Sequence, residues 1–188
     1  AWLANQSANL TTMADMLSQM EDFSEESLQP MFGAVLATNA AYFEVYMGFP
    51  DGLAQTGSGY VFDYSWWSAP ERGWYKLALT DPARAHITAP YTDAQTGELC
   101  ITAVHAVQRD GVLLGVVAAD IFVTDLQAMV HSTSLDEAGY AVLLTETGDI
   151  IVHPDPNMEP DKDDNYQNLS EIEQGRYAAL WQQLFGKD

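Results

Sequence analysis

Seven aromatic side chains, Tyr60, Phe62, Tyr64, Trp66, Trp67, Trp74 and Tyr75, crowd one stretch of a chain that is 11% aromatic overall, and Arg72 sits among them. A guanidinium between aromatic faces has two uses. It stacks on an indole as structural packing, or it clamps a carboxylate through paired charge-assisted hydrogen bonds. A second anomaly is Asp120, which interrupts Val116-Val117-Ala118-Ala119 and Ile121-Phe122-Val123. A carboxylate is costly to bury there without a partner, so Asp120 reads as facing a pocket or a buried cation. Asp93 follows Tyr91-Thr92 and precedes a Thr96-Gly97 turn, which it either shapes or leaves free to join a site. Taken together, Arg72 for a carboxylate, Asp93 and Asp120 for an ammonium, and aromatic faces adding about 0.5–2 kcal/mol of cation–π attraction outline a receptor for a zwitterion.

These residues need elements to hold them. Leu10, Met13, Leu17 and Met20 recur at helical spacing and predict an amphipathic helix over 2–20, lying on a sheet or on a second copy of itself. A second helix is expected to start near Ser24 or Ser27 and to carry Met31, Phe32, Val35 and Leu36. The pattern then changes to period two, predicting strands over 42–49, 60–64, 86–91, 98–108 and 112–122. Arg109-Asp110-Gly111 has the chemistry of a tight hairpin turn, and Thr124 with Gln127 reads as a capping box. A smaller unit follows, with strands over 140–145 and 149–153 around Thr147-Gly148, an acidic loop over 155–164, and a helix carrying Tyr177, Leu180, Trp181 and Leu184. The fold class is α+β.

Composition excludes several functions. Seven Lys and Arg against 27 Asp and Glu give a net charge of −20, which repels nucleic acid and anionic lipid surfaces and mildly disfavours dicarboxylates as ligands. The single cysteine, Cys100, forms no internal disulfide and reads as a small core residue. The longest apolar stretch, 112–123, contains Asp120 and falls short of the ~18–20 residues that cross a bilayer. No basic and apolar leader opens the numbering, so the chain is expected to be a piece of a longer protein. His86, His105, His131 and His153 lack paired ligand spacing, and Asp161-x-Asp163-x-Asn165 lacks the Gly and Glu of a calcium loop. No nucleophile elbow is present; an enzyme of unknown type is the competing class, with Asp93 and Asp120 as its catalytic pair.

The chain resembles the double Cache family, the extracellular ligand-binding domains of bacterial chemoreceptors and sensor kinases. Arg72-Gly73-Trp74-Tyr75 matches that family's Arg-x-Trp-Tyr element, Tyr91-Thr92-Asp93 its Tyr-x-Asp element, and Asp120 the acid that receives the ligand's ammonium. The family usually has a Tyr five residues before the Arg. This chain has Trp67, whose indole N–H donates but accepts nothing, and Tyr64 is the candidate substitute. The resemblance implies a non-enzymatic sensor, without cofactor or metal, on the outer face of a membrane-anchored parent protein. Its ligand is expected to be a small amino acid, or otherwise another small carboxylate or amine, held by Arg72, Trp74, Tyr75, Tyr91, Asp93, Asp120, Trp67 and Tyr64. The implied organisation is a stalk helix over 1–33, a membrane-distal PAS-like module over 34–133 and a membrane-proximal PAS-like module over 134–188. The last is expected to gain strands beyond Asp188, and the N-terminal helix is a possible homodimer contact.

Overall fold

The helical stripe near the N-terminus folds as α1 (Trp2–Ser18), which buries Leu10, Ala14 and Leu17. Ser24 precedes α2 (Glu25–Thr38), whose Leu28 and Phe32 are fully buried and whose first turn carries Glu25 and Glu26, favourable at the positive end of the helix dipole. This computed structural model describes residues 2–132, 140–145, 147–160 and 165–186. They form a mixed helical and antiparallel-sheet fold that divides into two compact units, Ala1–Phe122 and Val123–Asp188.

In the first unit β1 (Glu44–Gly48) pairs with β2 (Ala54–Thr56) and, on its other side, with β6 (Val112–Phe122). Between these elements in sequence lie α3 (Gly73–Ala78), β3 (His86–Ile87), β4 (Tyr91–Thr92) and β5 (Leu99–Arg109). All pairings are antiparallel in the order β2-β1-β6-β5-β3, with β4 also on β5. The β5–β6 hairpin turns through Asp110 and Gly111, at φ +51° and +77°, the left-handed pair that a two-residue turn matching strand twist requires.

Because strand side chains alternate, the sheet has two distinct faces. One carries Val45, Met47, Val107 and Val117, and α1 and α2 cover it. Arg109 belongs to that face. Its Nε donates to Ser18 O at 2.7 Å, its Nη2 donates to Met20 O, and its Nη1 pairs with Glu21 at 3.2 Å, so a cation closes the negative end of α1. On the other face Tyr46, Val104, Val116 and Ala118 cluster with Trp67, Trp74 and Tyr75.

Several sequence expectations change here. The strand over 60–64 is absent; the chain instead turns at Asp63, whose carbonyl accepts from the Trp66 and Trp67 amides, and the edge position goes to β2. The strand over 86–91 is split at Pro90, which has no N–H to donate. α4 (Val123–Ser132) continues directly from β6, so Thr124 is not an N-cap, and the Gln127 amide donates to Glu159 Oε2 at 2.5 Å instead.

In the second unit β7 (Leu143–Leu144) and β8 (Ile150–Val152) form a two-stranded sheet, shorter than expected because no further strand among the described residues extends the ladder. The chain then forms α5 (Ile172–Gly175) and α6 (Ala178–Phe185). Ile150, Leu169 and Ile172 make its core with Trp181 and Phe185 against them, and Trp181 Nε1 donates to Thr147 O at 2.9 Å. The motif begun by Asp161 and Asp163 lies outside the described residues. Among those described, no helix is long and apolar enough to cross a membrane.

Candidate functional site

The aromatic face of the sheet carries a narrow pocket that opens to solvent. Its walls are Tyr46 on β1, Asp120 on β6, Tyr91 on β4, Asp93 and Ala94 after β4, and Phe62, Trp67, Arg72 and Trp74 from the stretch that crosses the sheet. Register explains the floor. Asp120 lies opposite Glu44 on one neighbouring strand and Thr102 on the other, so three polar side chains share one face in a row.

Asp120 is 3% exposed. Thr102 Oγ1 donates to its Oδ1 at 2.7 Å and Tyr46 Oη at 3.1 Å, while Tyr91 Oη lies 2.6 Å from Thr102 Oγ1. Both bonds fall on Oδ1, which leaves Oδ2 without a protein partner among the described residues. Burial raises this carboxyl from its ordinary 3.8 to about 7; the Thr102 hydrogen bond opposes the rise and the neighbouring charge of Asp93 adds to it. The same burial raises the pKa values of Tyr46, Tyr91 and Cys100, so these groups stay protonated donors. Glu44 is spent locally: its Oε1 accepts from the Val45 and Ser58 amides at 3.0 and 3.1 Å, and its Oε2 from the Ser58 hydroxyl.

Asp93 shapes its turn and also lines the pocket. Its Oδ1 accepts from Thr96 N and Thr96 Oγ1, each at 2.7 Å, and from Gln95 N at 3.1 Å, which fixes the turn, and the residue also walls the cavity. Arg72 is held between the 3-10 turn Ala69–Glu71, with Pro70 near its start, and the first turn of α3, whose Lys76 amide bonds the Arg72 carbonyl. Its guanidinium makes no hydrogen bond or ion pair to protein among the described residues. Arg72 therefore brings a positive, unpartnered fork to a cavity whose other charged groups are two acids.

The aromatic walls are locked by packing. Trp67 stacks on Phe62 with centroids 3.9 Å apart and planes 8° from parallel, and Trp74 meets Tyr46 edge-on at 5.1 Å. Trp74 also requires Gly48 beneath it, since a Cβ there would stand 2.6 Å from Trp74 Cη2 and 2.8 Å from Ala69 Cβ. Gly48→Ala is accordingly expected to destabilise the domain by about 1–3 kcal/mol through overpacking, with a lowered midpoint in urea unfolding. An unchanged midpoint would show that this contact does not fix the indole.

The structure thus brings Arg72, Trp74, Tyr91, Asp93, Asp120 and Trp67 to one cavity. Two expected site residues lie elsewhere. Tyr64 lies against the edge strand β2, where its hydroxyl accepts from Ala54 N at 3.2 Å and donates to Ala54 O at 3.1 Å, so it seals an open strand edge instead of substituting at the site. Tyr75 is buried beside Trp74 and off the cavity wall, because successive helical residues point about 100° apart. Sequence reasoning missed Tyr46 and Phe62. The sequence signal for Tyr46 was partial: alternation puts it on the strand face of Glu44, opposite Val45 and Met47, but only the register sets its hydroxyl against Asp120.

Comparison with known proteins finds relatives of this chain. The family described as "Methyl-accepting chemotaxis protein-like, first PDC sensor domain" matches residues 11–128. The methyl-accepting chemotaxis protein PctB of Pseudomonas aeruginosa is 28% identical over 173 residues, 91% of this chain and 25% of that protein. The chain therefore spans about a quarter of this curated relative's length. The solved ligand-binding domain of PctB, in complex with L-Arg, is similar with a TM-score of 0.72 at 25% identity, covering 91% of this chain and 68% of that one. The ligand-binding domain of the P. aeruginosa amino acid chemoreceptor PctC, in complex with GABA, gives 0.71 at 27% identity, covering 92% and 74%.

Proposed function

Because this chain belongs to the family of methyl-accepting chemotaxis protein-like first PDC sensor domains, we propose that its first unit captures a free amino acid as a zwitterion on the outer face of a membrane-anchored chemoreceptor. Its relatives are sensors and not enzymes, and the proposed cycle is binding and release without bond making. One observation carries this reading: an unpaired guanidinium and two carboxylates wall the same small cavity.

In this account the Arg72 fork takes the α-carboxylate, with the Trp74 indole N–H as a second donor. Asp120 Oδ2 and Asp93 take the ammonium, and the faces of Trp67 and Tyr91 close over it. Two acids against one guanidinium leave the cavity net negative, so a lone carboxylate meets repulsion and a lone amine forfeits the Arg72 contact. The energy suffices, since a ceiling of about 1.5 kcal/mol per non-hydrogen atom allows micromolar affinity for a ligand as small as alanine. That PctB and PctC are solved with L-Arg and GABA, each carrying an amine and a carboxylate, supports the class of ligand.

Signal output follows from the two-faced sheet. Asp120 on β6 faces the ligand, while Arg109 at the end of the paired strand β5 grips the C-terminus of α1. A ligand that binds one sheet geometry more tightly shifts the population of α1 positions with it. The test is a thermal-shift panel on the purified chain with amino acids, organic acids, amines and sugars. Stabilisation by α-amino acids is the expected result, and stabilisation by organic acids or sugars alone would overturn it.

A further inference from the structure

A second, larger pocket, open to solvent, shares wall residues with the first. Arg72, Trp74 and Tyr91 wall both. What the second adds is Gly73 and Leu77 of α3 and the 88–90 stretch that breaks the strand between β3 and β4. Its walls differ in kind from those of the first. Asp93 and Asp120 line only the smaller cavity, so Arg72 is the one charged group on the wall of the larger.

An α-amino acid held by its two charged groups must send its side chain away from both, into whatever volume adjoins them. The cavity next to the carboxylate end is that volume, and its chemistry selects what enters. A basic side chain would find no acid on these walls and would face the Arg72 charge. An acidic one would compete with its own α-carboxylate for the single guanidinium. A hydrogen or a methyl group would leave Leu77 and Pro90 uncovered. A branched or linear aliphatic chain covers them, and each buried methylene is worth roughly fourfold in affinity. Ala89, on the exposed lip, leaves room for a longer chain to reach solvent.

Resting on the zwitterion reading above, we propose that this second cavity is the side-chain subsite and that it selects neutral aliphatic amino acids, of the size of valine, leucine, isoleucine and methionine, over acidic, basic and very small ones.

Titration calorimetry of the full chain with glycine, alanine, leucine, glutamate and lysine tests it, repeated on Leu77→Ala and on Ala89→Asp. Leucine is expected to bind about tenfold or more tighter than alanine, with glutamate and lysine at least tenfold weaker than leucine. Leu77→Ala is expected to reduce the leucine-to-alanine affinity ratio by about tenfold. Ala89→Asp, an exposed substitution that leaves the fold alone, is expected to raise the lysine-to-leucine ratio severalfold. The proposal is overturned if alanine binds as tightly as leucine, if lysine or glutamate is preferred, or if both ratios stay unchanged in the variants. In each of those cases amino acids still bind and the zwitterion site stands. Failure of every amino acid to bind overturns that site and the subsite together.

Discussion

Arg72→Ala is expected to weaken amino acid binding roughly thirtyfold or more, about 2 kcal/mol, while leaving the unliganded domain as stable as before. Both halves of that statement follow from one fact: the guanidinium has no protein partner among the described residues, so deleting it orphans nothing in the free protein. A side chain engaged in structural stacking or ion pairing would show the opposite pattern, a lowered unfolding midpoint with affinity nearly intact. Arg72→Lys is expected to fall between the two, since it keeps the charge and loses the paired geometry that a carboxylate matches. Calorimetry with alanine or leucine, paired with thermal unfolding of the ligand-free protein, separates the cases. Undiminished affinity in Arg72→Ala would place the carboxylate elsewhere.

Asp120→Asn is expected to be at least as damaging to binding and, unlike Arg72→Ala, to raise the stability of the free domain at neutral and higher pH. The amide keeps an oxygen for the Thr102 and Tyr46 hydroxyls but can place its NH2 where Oδ2 stood, opposing an ammonium with a donor. A loss of about 2–3 kcal/mol in affinity is expected for removal of a charged hydrogen bond. The stability effect follows from the raised carboxyl, at about 7 against 3.8. Between those two values the folded state holds a proton that the unfolded chain has released. Asp120 therefore costs the free domain stability that grows as pH rises from about 4 to about 7 and is then constant, on the order of 1–4 kcal/mol. Asp120→Asn removes that cost, so its unfolding midpoint is expected to exceed the wild type's at pH 8 and to match it near pH 4. Binding has the opposite slope in the wild type. An ammonium ligand requires the carboxylate, so below pH 7 binding releases a proton, and affinity falls up to tenfold per unit as pH drops. Calorimetry in buffers of different ionisation enthalpy reads that proton directly; a heat of binding independent of buffer at pH 6 would contradict the assignment.

The sequence revealed most where the local chemistry had one solution. A turn of Asp110 and Gly111 between two apolar runs admits a hairpin and little else, and the stripe through Leu10 and Leu17 admits a buried helix face. It misled where an element was short. No element is expected over 69–78, yet Ala69–Glu71 form a 3-10 turn and Gly73 begins α3, which is what rotates Tyr75 away from the cavity. β2 has three residues, too few to show a period, so the strand expected nearby is the more aromatic 60–64 stretch. Arg72 and Asp120 were legible as charges in apolar surroundings. Tyr46 was not, because a tyrosine in an alternating strand looks like core until the register sets its hydroxyl against Asp120.

The central claim is that opposite charges at two ends of one cavity recognise a molecule bearing both. It is tested most directly by titrating the domain at pH 7.5 with alanine, with lactate, which keeps the carboxylate, and with ethylamine, which keeps the amine. The account predicts heat and saturation for alanine alone, with each single-charge relative weaker by at least about 2 kcal/mol. Lactate or ethylamine binding as tightly as alanine would contradict it.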